Sequence, residues 1–145
     1  MGFAVFVLWI AVDRLSGGTL GMPVALAGTT EPFRYAWIGL RIVGAVVAVP
    51  IAEELAFRGF ALRRFVNADF ESVGFKSTGW VAVLGSSILF GLMHGNLWMQ
   101  ATVAGALYAL LIRRTGRMGD AVTAHSLTNG LIAGYVLMFD QWQLW

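Results

Sequence analysis

At 145 residues the chain has room for one domain and not for two. It is 58% hydrophobic and only 12% charged, against about 25% charged in soluble domains, which excludes an ordinary soluble globule and points to a membrane protein. Its net charge of +2 comes from arginines at the ends of apolar runs and not from one patch, so no nucleic-acid partner is expected; the lack of cysteine excludes disulfides, thiolate catalysis and cysteine metal sites.

In chain order, residues 3–12 are apolar but short of the roughly 20 residues a span needs, and read as a short N-terminal apolar helix. Residues 13–30 are rich in Gly and Thr and read as a loop. Glu31-Pro32 opens the next helix, with proline in its first turn. That helix runs over residues 33–66, with Arg41 as the only charge between Ala36 and Val49. Pro50 is expected to kink it, because a proline ring removes the bond to the carbonyl of Val46. Arg63 and Arg64 close it, and residues 67–78 are a polar connection.

Residues 77–112 contain no Asp, Glu, Lys or Arg. The stretch is too long for one span and divides at His94-Gly95-Asn96 into helices over 78–94 and 97–112. Arg113, Arg114 and Arg117 fill a short loop, and a last span covers 120–139. Trp142 and Trp145 read as an interfacial belt. Gly91–Gly95 and Gly130–Gly134 are small-xxx-small pairs that predict close helix packing. The fold class is therefore an all-α, multi-pass bundle of about four spans plus the N-terminal helix, forming one domain over 1–145. Counting crossings places Arg63, Arg64 and the 113–117 arginines on one side, the cytoplasmic side by the positive-inside rule.

Three clusters carry chemistry. Glu53 and Glu54 sit at the end of an apolar run, where a charge costs about 3 kcal/mol on insertion scales. Glu54 and Arg58 are four apart with the acid first, the favoured order for a helical ion pair. Glu53 points about 100° away and is left over as an unpaired carboxylate suited to general-base work. His94 ends an uncharged span with Phe90 one turn before it. His125 and Asn129 share a face of the last span. These are the chain's two histidines. Singly each would serve as polar glue between helices; with the Glu pair on a third helix they read as a site. Rival patterns fail. H-E-x-x-H is absent, Met118 breaks an aspartyl signature at Gly119-Asp120, and Ser87 lies two turns from His94, beyond hydrogen-bond reach.

Glu53-Glu54-x-x-x-Arg58-Gly59, Phe90-x-x-x-His94 and His125-x-x-x-Asn129, in that order on successive spans, resemble the type II CAAX prenyl endopeptidase-like, bacteriocin-processing (Abi) intramembrane proteases. The resemblance covers residues 33–139. It implies hydrolysis of a peptide bond in a membrane-associated peptide or lipidated, membrane-anchored protein, in a cell membrane that is expected to be prokaryotic. Matched by position, it implies Glu53 as general base, His94 as its partner in activating water, His125 and Asn129 as oxyanion donors, and Glu54 and Arg58 as orienting groups. No cofactor is favoured, because Asn129 is a poor zinc ligand and suits a donor role. The zinc alternative would use Glu54, His94 and His125. Family members carry more helices ahead of the first motif, so the chain reads as a core or a fragment of a longer protein.

Two other classes compete: an inert membrane immunity or scaffold protein, and a proton-coupled transporter with Glu53 and the histidines as relay. One geometric demand stands out. At about 1.5 Å per residue, His94 falls about 24 Å from the basic side and His125 about 9 Å. One site then requires tilted helices or a third helix that starts deeper, around a water-filled cavity.

Overall fold

The computed structural model describes residues 1–16 and 20–145. Among the described residues five longer helices build the molecule: α1 Gly2–Ser16, α2 Glu31–Arg64, α3 Trp80–Leu92, α4 Trp98–Thr115 and α5 Met118–Phe139. Among the described residues there is no strand, and the protein is an all-α membrane protein. Among the described residues three helices, α2, α5 and the stretch Gly95–Thr115 that includes α4, are long and apolar enough to cross a bilayer. The fourth expected span, α3, has only 13 residues. It rises about 20 Å, less than a hydrocarbon core of about 30 Å.

Starts and stops follow local chemistry. Pro32 lies in the first turn of α2, where its missing N–H costs nothing. α4 stops at Gly116, whose φ of +76° is left-handed. The break after α3 falls at Gly95, with φ +56°. α1 runs further than the apolar stretch suggested, through Asp13 and Arg14 to Ser16, and Val24–Ala27 forms a helical turn inside the expected loop. Residues 17–19 of that loop lie outside the described residues.

The core is organised on α4. Its buried residues Ala101, Ala104, Gly105, Tyr108, Ala109 and Ile112 recur at helical spacing. The small ones let α3 approach closely; Val83, Phe90 and Leu62 complete the packing. α1 lies against α5 and α4, with Val5 buried. Gly91 packs as expected: a Cβ there would lie 2.7 Å from the Trp98 carbonyl oxygen. The other glycines of the two pairs do different work. Gly95 makes the turn, and Gly130 and Gly134 line a shallow apolar groove against α1, where a Cβ at Gly134 would meet nothing within 4 Å.

The first part of α2 touches little else. Glu31–Val43 buries no residue, and Phe33, Tyr35, Leu40 and Val43 are all exposed. Such a surface is stable against lipid and not against water. At the other end of the bundle the Arg113 guanidinium stands 5.1 Å from the Trp80 ring, and Lys76 lies against Gly116. Trp142 departs from the expected belt. It is buried, and its backbone N–H donates to Leu20 O at 2.8 Å, folding the C-terminus back onto the bundle.

Candidate active site

The two carboxylates lie on a six-residue α-helical piece, Val49–Glu54, between two wider π-helical stretches, Gly44–Ala48 and Leu55–Ala61. Pro50 explains the first. In a regular α-helix the Ala45 carbonyl would accept from Val49 N–H. Here Val49 N–H reaches Gly44 O instead, and Pro50, next in line, has no N–H. The Ala45 carbonyl is filled from another helix: Asn129 Nδ2 donates to it at 2.8 Å. The expected break at Pro50 therefore takes the form of a changed hydrogen-bond register, and the helix continues to Arg64. Single π turns of this kind are common at functional sites.

Asn129→Leu leaves the Ala45 carbonyl without a donor and is expected to cost about 1–3 kcal/mol. Asn129→Asp, which sets acceptor against acceptor, should cost at least as much. Thermal unfolding in detergent reads both.

Behind this stretch sits a closed ionic cluster. Glu54 and Arg58 are fully buried, with Arg58 Nε 3.2 Å from Glu54 Oε2. Arg58 Nη2 donates to Gly105 O at 3.0 Å, and the guanidinium lies 4.4 Å from the Phe90 ring and 5.5 Å from the Tyr108 ring. Gly105 makes this approach available, since a Cβ there would lie 3.1 Å from Phe90 and 3.4 Å from Arg58 Nη2. The other Glu54 oxygen accepts from His125 Nδ1 at 2.9 Å. Buried charge is held by an opposite charge on one side and an N–H donor on the other.

His125 is fixed on both faces of its ring. Tyr108 stacks on it at 4.9 Å with 19° between planes, and Phe90 meets it edge-on at 5.8 Å. The Tyr108 hydroxyl donates to Thr128 Oγ1 at 2.8 Å, and Thr128 lies 3.0 Å from the carbonyl oxygens of both Ala124 and Gly2. With Nδ1–H committed to Glu54, His125 turns Nε2 toward Glu53, whose Oε2 is 3.7 Å away. That Glu53 oxygen is buried and makes no hydrogen bond.

His94 follows the end of α3, and its Nδ1 lies 2.8 Å from Phe90 O. A carbonyl only accepts, so Nδ1 carries a proton, and in that tautomer Nε2 presents its lone pair. Phe90 packs on His94 at 4.5 Å and Trp9 of α1 at 6.2 Å. Among the described ion pairs His94 meets neither carboxylate.

Glu53, His94, His125 and Asn129 all line one cavity of about 700 Å³, while Glu54 and Arg58 stand behind its wall. Sequence reasoning did not single out Tyr108, Thr128, Gly105 or Trp9. The first three sit in uncharged runs where Tyr, Thr and Gly are ordinary membrane residues, so no sequence signal marked them. Ser87 is buried and donates to Val83 O at 2.6 Å, a packing role.

A zinc ion held by Glu54, His94 and His125 does not fit this arrangement. Both Glu54 oxygens are occupied, by Arg58 and His125. Among the described residues no three His, Asp or Glu side chains are grouped to hold a metal.

The sequence matches the family of Rce1-like type II CAAX prenyl endopeptidases over residues 35–131. The chain belongs to the Rce1-like family. No curated protein and no solved structure matches it. The Rce1-like stretch spans Glu53 to Asn129, so all three motif clusters fall inside it. Trp9, Leu144 and Trp145 line the same cavity from outside it. Membership in this protease family, with helices of membrane-spanning length and an exposed apolar surface, makes the protein an integral membrane protein of proteolytic type.

Proposed function

We propose that the protein is an intramembrane endopeptidase that hydrolyses a peptide bond of a membrane-associated peptide or protein, with Glu53 activating water and no metal required. The observation that carries this reading is the division of labour between neighbouring carboxylates. Glu54 is held by Arg58 and His125, while Glu53 Oε2 makes no hydrogen bond and faces His125 Nε2 at 3.7 Å in a cavity shared with His94 and His125. The cavity falls within the range of about 300–1,000 Å³ usual for ligand sites.

In the proposed reaction Glu53 takes a proton from water as its oxygen bonds to the substrate carbonyl carbon. His94 Nε2 accepts the second water hydrogen and fixes the direction of attack. The developing oxyanion receives the second N–H of Asn129 and, when both ring nitrogens of His125 carry a proton, an N–H from His125 Nε2. Collapse breaks the C–N bond, and the proton held on Glu53 passes to the departing amine. Tyr108, Phe90 and Thr128 keep the His125 ring in place, as supporting groups do around catalytic histidines.

The test is hydrolysis in ¹⁸O-labelled water by protein reconstituted in lipid nanodiscs with membrane-anchored peptides. One label should enter the new carboxyl terminus, and activity should persist in 1,10-phenanthroline. Absence of labelled product sinks the proteolytic reading. Loss in the chelator with recovery on added zinc sinks the metal-free one.

A further inference from the structure

The cavity that holds Glu53 extends well beyond it. Along α2 its wall is formed by Trp37, Arg41, Ala45, Val49 and Glu53, each four residues from the next, so one face of the helix carries a track from a carboxylate to a guanidinium. At about 1.5 Å per residue the track from Glu53 to Arg41 covers about 18 Å. Arg41 is the single charged residue between Arg34 and Glu53, in a helix otherwise suited to lipid. Among the described residues its guanidinium enters no ion pair. It stands 5.6 Å from the Trp37 ring and 5.3 Å from the Trp145 ring. Indole faces attract the cation without using its N–H donors. A membrane-embedded arginine is costly, and a guanidinium with five free donors matches a carboxylate in two-point contact.

We propose that Arg41 is a substrate-binding residue that receives a carboxylate of the peptide, with Trp37 and Trp145 as the side walls of the subsite. This rests on the proteolytic reading of the same cavity. An extended chain advances about 3.3 Å per residue, so the carboxylate sits about three to five residues from the scissile bond once the Arg41 stem reaches inward. The small or apolar side chains of Ala45, Val49 and Ile132 line the stretch between and set no other charge requirement. The carboxylate is that of the chain terminus or of an acidic side chain, and the ligand comparison separates them.

Fluorescein-labelled Ala/Leu decapeptides ending in a free carboxylate, in an amide, or in an amide with one Glu near the end are titrated into Glu53→Gln protein, which leaves them intact. The protein is held in phosphatidylcholine nanodiscs, and anisotropy reads affinity. The expected result is about tenfold tighter binding of a carboxylate-bearing peptide than of the plain amide. The better of the two carboxylate peptides identifies the source. Adding Arg41→Gln should erase the preference and Arg41→Lys should restore part of it, which also separates lost recognition from lost folding. Equal affinity for carboxylate and amide overturns the proposal, as does a preference that Arg41→Gln leaves unchanged. A preference that disappears in discs containing phosphatidylglycerol assigns Arg41 to lipid phosphate and overturns it too. A carboxylate preference without hydrolysis by the wild-type protein sinks the proteolytic reading alone; hydrolysis with equal affinities sinks the Arg41 subsite alone.

Discussion

Glu53→Gln should abolish peptide hydrolysis while leaving the protein folded. A general base contributes about 10²–10⁴-fold, and the glutamine amide cannot take the water proton, so the fall should be at least of that order. The substitution is close to isosteric, and Glu53 is not held by an arginine or by an aligned hydrogen bond; its nearest charged partner is His125 Nε2 at 3.7 Å. Removing its charge therefore leaves no stranded partner, and unfolding temperature should shift little. Initial cleavage rates alongside thermal unfolding in detergent provide the check. Unchanged hydrolysis would remove Glu53 from the base role, and a large stability loss would make it structural.

The opposite pattern is expected five positions on. Arg58→Ala should destabilise the fold by about 3–5 kcal/mol, the usual cost of stranding one member of a buried ion pair. Glu54 is wholly buried and would keep only His125 as partner. The Gly105 carbonyl would lose its side-chain donor and the Phe90 and Tyr108 rings the group packed between them. Arg58→Lys keeps the charge but not the fork geometry, and should fall between. Replacing both partners, Glu54→Leu with Arg58→Met, should recover much of the stability, because a well-packed apolar pair can substitute for a buried ion pair. It should not recover activity, because His125 loses the acceptor that fixes its ring. Unfolding free energies and cleavage rates on the same four proteins give the comparison. Equal stability of Arg58→Ala and wild type would show that the pair contributes nothing to folding.

These contrasts show where sequence and structure part. Glu54 and Arg58 could be paired from the sequence because helix geometry brings residues four apart together whatever surrounds them. The remainder of Arg58's environment could not, since Gly105 and Tyr108 come from a helix 47 to 50 residues further on. Asn129 is instructive in the same way. Its place beside His125 on one face follows from spacing, but its bond to Ala45 depends on a register change at Pro50 that opens an acceptor on a different helix. The proline predicted a local disturbance, and the π-helical form it takes is decided by the available donor. His94 shows a limit of pattern reading. It was expected beside Glu53, and the histidine that stands nearest to Glu53 is His125.

Hydropathy alone determined that the chain is an all-α membrane protein, because in lipid every backbone group must be satisfied within the helix and long uncharged runs have no other stable form. It also determined which polar residues had to matter, since each ionisable group in such a run carries a cost. Only the tertiary structure decided that α3 is a short helix packed on α4 by one face, that Trp142 is core, and that Trp37, Arg41, Trp9 and Trp145 share a cavity with Glu53. Those facts depend on how helices distant in sequence cross and on which side chains are small enough to let them. Packing of that kind is a property of pairs of surfaces, and no periodicity within one segment records it.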